Sequence, residues 1–229
     1  MIITLCAANT GMKTPYKFPH WGPLVIETTV EQEFLGVLLE KGNEVREKNL
    51  DHRESLAGMI DNEYSYEDYE SWFVPKFTPY INLYLHALTT HWLPDRKIGN
   101  SWHPTSLWIN YQKADEYNPP HHHTGDLSFI IYLQVPAVLK NEYELAKGQR
   151  KNSGPGTINF DFCIEMPCSL SSFIKFPQEG DIFIFPAWLP HHVHAFKSDV
   201  ERISVSGNIW MRSDNGKRLA GKRTPGGPS

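Results

Sequence analysis

The chain has 229 residues, enough for one domain with a sizeable core or one domain carrying an extension, and a second independent domain is not expected. Its 22 basic against 26 acidic residues leave a net charge of -4, without the basic excess that neutralises nucleic-acid phosphates. The longest apolar runs, such as Phe129 to Leu133 and Ile182 to Phe185, are far too short to span a bilayer, and the amino terminus lacks a charged region followed by an apolar signal core. A cytoplasmic protein with no nucleic-acid or membrane partner is therefore expected.

The first hundred residues read as mostly helical. Thr28 precedes Glu31 at capping-box spacing, and Val30, Phe34, Val37 and Leu38 recur with helical period, which predicts an amphipathic helix to about Lys48. A second helix is predicted after Pro79, where Ile81, Tyr84, Leu85, Leu88 and Trp92 repeat at three and four, with Pro94 as its stop. Between them the acidic, tyrosine-rich stretch Glu63 to Trp72 is compatible with a helix start or a surface loop. From Ser106 the texture changes to short β-branched and aromatic runs broken by Pro, Gly and Asn, the pattern of a sandwich or barrel. Six strands are predicted: Leu107 to Gln112, Leu127 to Val135, Thr157 to Phe162, Ser172 to Phe176, Asp181 to Pro186 and Glu201 to Met211. The polar stretch Val138 to Gly156 reads as a long loop, and the tail after Arg212, with its Lys-Arg pairs and Pro-Gly-Gly-Pro ending, as disordered. Cys6, Cys163 and Cys168 contain no Cys-x-x-Cys pair and read as buried reduced thiols.

Histidine is the unusual residue. Six of eleven fall in two internal clusters, His121, His122, His123 and His191, His192, His194, at the mouths of the second and fifth predicted strands. In an extended segment alternate residues share a face, so His121 and His123 can reach a common ion while His122 points elsewhere. His191, just past Phe183-Ile184-Phe185-Pro186, is placed to supply a third ligand from a distant segment. Two neighbouring ligands and one remote one leave half an octahedron open, the facial arrangement of non-haem iron(II) sites. A zinc site or a metal-dependent cupin would use the same nitrogens. Asp126 is an alternative ligand to His123 if Thr124-Gly125 turns sharply. His20, His52, His86, His91 and His103 read as structural or surface residues.

Arg202 separates these alternatives. It lies eleven residues after His191 on a strand where Arg202, Ser204, Ser206 and Asn208 alternate with Ile203, Val205, Gly207 and Ile209. A polar face turned into a barrel lumen is costly unless something hydrogen-bonding fills it. A dicarboxylate does so, and the planar fork of arginine meets the distal carboxylate of 2-oxoglutarate through two charge-assisted bonds.

The stretches Asn118-Pro119-Pro120-His121-His122-His123-Thr124-Gly125-Asp126-Leu127-Ser128 and Glu179-Gly180-Asp181-Ile182-Phe183-Ile184-Phe185-Pro186-Ala187-Trp188-Leu189-Pro190-His191, followed by Arg202-Ile203-Ser204-Val205-Ser206-Gly207-Asn208, resemble the 2-oxoglutarate and iron(II)-dependent oxygenase superfamily. More narrowly, they are similar to its prolyl-4-hydroxylase-like branch found in marine bacteria and phages. The resemblance covers Leu107 to Trp210. It implies a mainly β fold with α, a double-stranded β-helix (jelly roll) flanked by N-terminal helices. One oxygenase domain would occupy residues 1–212, with a helical part at 1–100 and the β-helix core at 105–212, followed by the disordered tail 213–229. It also implies that His121 and His191 ligate Fe(II), that Arg202 anchors 2-oxoglutarate, and that Asn110 and Tyr132 add hydrogen bonds to the cosubstrate. The superfamily usually has an aspartate or glutamate two residues after the first histidine, where this chain has His123.

The implied activity is that of a dioxygenase, an oxidoreductase consuming 2-oxoglutarate and molecular oxygen, hydroxylating an unidentified substrate and releasing succinate and carbon dioxide. No catalytic side chain beyond the metal centre is implied. Halogenation is not expected, because the enzymes that chlorinate replace the carboxylate ligand with a small residue and a histidine fills that position. A cupin-type metal enzyme without 2-oxoglutarate and a β-sandwich binding protein with a structural zinc are the competing readings of the same histidines.

Overall fold

The structure is a computed structural model and describes residues 3–5, 16–18, 22–94, 101–147, 154–164, 167 and 169–212. The expected disordered tail, Cys6 and Cys168 lie outside the described residues. In chain order the elements are β1 (Ile3–Leu5), β2 (Tyr16–Phe18), β3 (Ile26–Thr29), α1 (Gln32–Glu47), β4 (Glu63–Ser65) and α2 (Glu70–Ala87), which runs on into a π turn at Leu88–Trp92. There follow β5 (Ser101–Gln112), β6 (Asn118–His121), β7 (Leu127–Gln134), α3 (Ala137–Lys147), β8 (Ile158–Asp161), β9 (Ser172–Lys175), β10 (Asp181–Pro186), β11 (His191–Val193) and β12 (Arg202–Arg212). β3-β10-β7-β12-β5-β4 form a major antiparallel sheet and β6-β11-β8-β9 a minor one. With helices set against these two sheets, the fold is the expected double-stranded β-helix, and its two sheets are antiparallel and unclosed.

The period-two pattern of the central strands explains how the layers assemble. On β12, Ile203, Val205 and Ile209 join Leu107 and Ile109 of β5, Phe129 and Ile131 of β7, and the helix residues Phe34, Leu38, Phe73, Phe77 and Ile81 in one buried cluster. Helices α1 and α2 thus cover the outer face of the major sheet. Phe129 packs against both Phe73 and Phe77, at ring-centroid distances of 5.6 and 4.4 Å. That ring lies over Gly207, where a Cβ would sit 2.6 Å from Phe129 and 2.7 Å from the Ser106 carbonyl, so the close approach requires glycine. The opposite face carries a smaller apolar cluster in which Ile130, Tyr132, Phe183 and Phe185 of the major sheet meet Ile158, Phe160 and Val193 of the minor one. The lumen lies between the sheets on this side.

Several local expectations give way to tertiary contacts. Thr28 does not cap α1. It pairs with Ile182 inside β3, and the residue at the helix N-cap is Glu31, with no side-chain cap. Helix α2 starts nine residues before Pro79 and holds both Pro75 and Pro79 in its interior. An interior proline costs about 3 kcal/mol, and here burial of Phe73, Phe77, Ile81 and Tyr84 offsets it. The ambiguous stretch Glu63 to Trp72 divides into β4 and the first turn of α2. Among the described residues, the first hundred therefore include four short strands beside the helices. The expected loop Val138 to Gly156 begins instead as α3, whose Leu139 is buried and whose Glu142 accepts the backbone N–H groups of Lys197 and Ser198 at 2.7 and 2.9 Å. Its polar composition hides a helix with little surface turned to the core. Cys163 is exposed, against the expectation of a buried thiol. Among the described residues no helix is long and apolar enough to cross a membrane.

Candidate metal centre

Three short elements bring the histidines together. β6 ends at His121, which lies in register with His191 on β11. His123 stands two residues beyond β6, its backbone N–H donating to the Ala187 carbonyl at 2.8 Å. The ligand atoms of His121, His123 and His191 all lie within 4.8 Å of one another, and His122, as its alternation predicts, is exposed.

Hydrogen bonds set which nitrogen is offered. His121 Nδ1 donates to the Pro119 carbonyl at 2.7 Å and His191 Nδ1 to the Leu189 carbonyl at 3.0 Å. A ring that donates from Nδ1 keeps its Nε2 lone pair free for a metal. His123 Nε2 lies 3.2 Å from His191 Nε2. Two nitrogens at about 2.1 Å from one ion and at right angles to each other would be about 3 Å apart, so this bite suits adjacent corners of an octahedron. Burial pushes the imidazoles of His123 and His191 down to about 3 and lowers that of His121. All three are thus held in the neutral form that ligates metals. Trp108 stands against His123, with ring centroids 5.7 Å apart, and Phe185 against His191 at 4.8 Å.

Asp126 lies outside this cluster. Gly125 turns the chain at a φ of 118°, and Asp126 then faces β12, its Oδ2 accepting the Met211 N–H at 2.8 Å and its own N–H donating to the Ile209 carbonyl at 2.9 Å. Its peptide oxygen accepts from Ala187 at 3.1 Å. Asp126 therefore ties the histidine turn to β12 and to Ala187, the residue just after β10.

Arg202 is 3% exposed on the same face of the major sheet. Nη1 donates to the Gly156 carbonyl at 2.6 Å and Nη2 to Gln112 Oε1, while Nε has no partner. Its guanidinium lies 5.4 Å from the centroid of the Tyr132 ring. Tyr132 is fully buried with its hydroxyl unpartnered, and burial raises that hydroxyl to about 12. Asn110 donates from Nδ2 to Ser204 Oγ at 3.4 Å and leaves Oδ1 unpaired. Arg202, Gln112, Asn110 and Tyr132 are brought side by side by the β5-β12-β7 register. A buried cation with no acidic partner among the described residues, beside an unpaired phenol donor, suits an anion carrying acceptor oxygens.

Sequence reasoning gave no site role to Gln112, Gly156 or Asn118 and left Trp108 unplaced. Asn118 and Trp108 line a cavity of about 30 Å³ with the three histidines. The only available signal was alternation: Trp108, Asn110 and Gln112 share one face of a strand whose other face is apolar.

The family described as "Putative 2OG-Fe(II) oxygenase" matches residues 106–208. No curated protein matches the sequence. Among solved structures, a prolyl-4-hydroxylase from Pseudomonas putida is similar over 82% of this chain and 92% of its own, with 12% identity and a TM-score of 0.53. SnoK, a non-haem α-ketoglutarate-dependent carbocyclase from nogalamycin biosynthesis, is similar over 86% and 89%, with 13% identity and a TM-score of 0.51. A prolyl hydroxylase from Trichoplax adhaerens, solved with a hypoxia inducible factor peptide fragment, is similar over 86% of each chain, with 11% identity and a TM-score of 0.50. The three histidines and the buried arginine all fall within residues 106–208, the stretch of the chain that matches the 2-oxoglutarate- and iron(II)-dependent oxygenase family.

Proposed function

We propose that His121, His123 and His191 hold one Fe(II), that Arg202 grips the distal carboxylate of 2-oxoglutarate, and that the enzyme hydroxylates a substrate in the presence of molecular oxygen. The observation that carries this reading is Arg202: a buried guanidinium without an acidic partner among the described residues, beside the unpaired hydroxyl of Tyr132. Tyr132 donates to the same carboxylate, and Asn110 orients the chain of the cosubstrate. Gln112 and the Gly156 carbonyl hold the arginine fork in place from behind. Three neutral imidazoles would leave a bound dication uncompensated, so a dianionic cosubstrate held by Arg202 would favour its binding. When both are bound, the metal and 2-oxoglutarate supply the oxidising chemistry, with release of succinate and carbon dioxide. Phe185 and Phe160 pack against His191 and exclude water from that side of the site. Asp126 supports the turn rather than ligating.

The remaining proposals concern the whole chain. Residues 1–212 work as one unit, because α1 and α2 supply the outer half of the core. A cytoplasmic location accords with the exposed, unpaired Cys163.

The test is succinate release from 2-oxoglutarate with Fe(II), followed without added substrate and then with candidate peptides, free amino acids and nucleosides. Wild-type protein is expected to bind one Fe(II) and turn over 2-oxoglutarate slowly, and His191→Ala to lose both. Normal turnover in that variant removes His191 from the site, and 2-oxoglutarate-independent activity favours a cupin-type enzyme.

A further inference from the structure

Three of the six clustered histidines take no part in the iron site, and two of them form a pair of their own. His192 follows His191 on β11, so the alternation of a strand turns it to the opposite face of the minor sheet, and His194 shares that face. His192 Nε2 lies 3.3 Å from His194 Nε2, nearly the separation of His123 and His191 in the iron site. His192 is oriented in the same way as His121 and His191, here by a carboxylate: its Nδ1 donates to Asp161 Oδ2 at 3.0 Å. A carboxylate behind a histidine fixes the tautomer with Nε2 bare and raises its basicity toward a metal.

A third group completes the set. Asn159, in register with His192 on β8, is 4% exposed. Its Nδ2 lies 3.4 Å from His194 Nε2 and its Oδ1 has no partner. Rotation of this amide would place the unpaired oxygen beside the His194 imidazole. As they stand, His194 Nε2 faces both the His192 ring nitrogen and the Asn159 amide, and with His192 Nε2 bare the protons among them do not satisfy every acceptor.

From this juxtaposition we infer a second metal site, formed by His192 Nε2, His194 Nε2 and Asn159 Oδ1, with Asp161 orienting His192. Two imidazoles and one neutral oxygen suit Zn(II) or another late first-row dication and are a poor set for Mg(II) or Ca(II), which take oxygen ligands. His192 and Asp161 are partly exposed, so the ion enters from solvent. An ion there ties β11 to β8 directly behind His191, the remote ligand of the iron site.

Zn(II) alone is the probe, with bound metal counted after equilibrium dialysis of chelator-treated full-length protein. The wild type is expected to hold two equivalents, one at each site. His194→Gln and His192→Gln are each expected to hold one, with near-ultraviolet circular dichroism unchanged. Asp161→Asn, at a more exposed position, is expected to fold and to weaken the second equivalent by about 10- to 100-fold while leaving the first intact. A single equivalent on the wild type overturns the inference. So do two equivalents retained by the histidine variants, or an unchanged second affinity in Asp161→Asn should those variants fail to fold.

Discussion

The two faces of β12 differ in what they leave unfinished. Toward the helices, Ile203, Val205 and Ile209 are sealed under α1 and α2 in a continuous apolar core. Toward the lumen, Arg202, Ser204, Ser206 and Asn208 are buried too, yet Arg202 Nε is unpaired, as are the Tyr132 hydroxyl and Asn110 Oδ1 on the neighbouring strands. One face stabilises the sheet, and the other uses part of that stability to hold polar groups ready for ligands. The contrast predicts that substitutions on the outer face change folding with the site chemistry intact, whereas those on the inner face mainly change binding.

The largest effect expected is that of pH on the metal-free protein, and it belongs to the inner face. His123 and His191 titrate near 3 when folded and about 6.5 when unfolded. Between those values the unfolded chain carries the extra protons, so stability falls as pH drops from about 6.5 toward 3, by several kcal/mol in all. Glu63, in register with Asn110, has the opposite sign. Burial and the nearby Glu116 raise its carboxyl to about 8, so the folded state holds the extra proton above the unfolded value and stability falls as pH rises through 8. Melting temperature against pH is expected to decline at both ends, and Glu63→Gln to flatten the alkaline side. A metal-free protein with a flat acid limb would mean that the histidines are not buried neutral.

On the outer face, Phe77→Ala removes a fully buried ring that touches Phe73 and Phe129. It is expected to cost about 3–5 kcal/mol in denaturant unfolding, while 2-oxoglutarate affinity at low temperature stays within about twofold, a difference of under 0.5 kcal/mol. A large loss of affinity in this variant would break the proposed division between the faces. Arg202→Ala is the complementary change. Losing hydrogen bonds to a charged group costs about 1.5–3 kcal/mol, so the dissociation constant for 2-oxoglutarate should rise roughly 10- to 150-fold with iron still bound. The anaerobic metal-to-ligand charge-transfer band reads this directly, and an unchanged midpoint would leave Arg202 without a ligand role.

The smallest effect is expected at Asp126. Asparagine keeps an acceptor for the Met211 N–H, so Asp126→Asn should cost about 1 kcal/mol or less and retain full iron stoichiometry. Loss of iron in Asp126→Asn, with iron retained in His123→Ala, would show that the carboxylate is a ligand.

Read alone, the sequence determined the features that local periodicity encodes. β7 and β10 were legible as apolar runs, β12 as an alternating strand, and His121, His191 and Arg202, with His123 or Asp126, as candidates for metal and dicarboxylate chemistry. Tertiary structure decided the rest. β6 and β11 are three or four residues long and made largely of proline and histidine, so they exist as strands through their pairing with each other and with β8. α2 tolerates two interior prolines because its aromatic face is buried. The task of Asp126 depends on Met211, 85 residues further along, and that of Glu63 on packing beside Glu116. Spacing specifies which side chains can share a face, but hydrogen-bond partners and burial come from segments far apart in the chain, and only the folded chain brings them together.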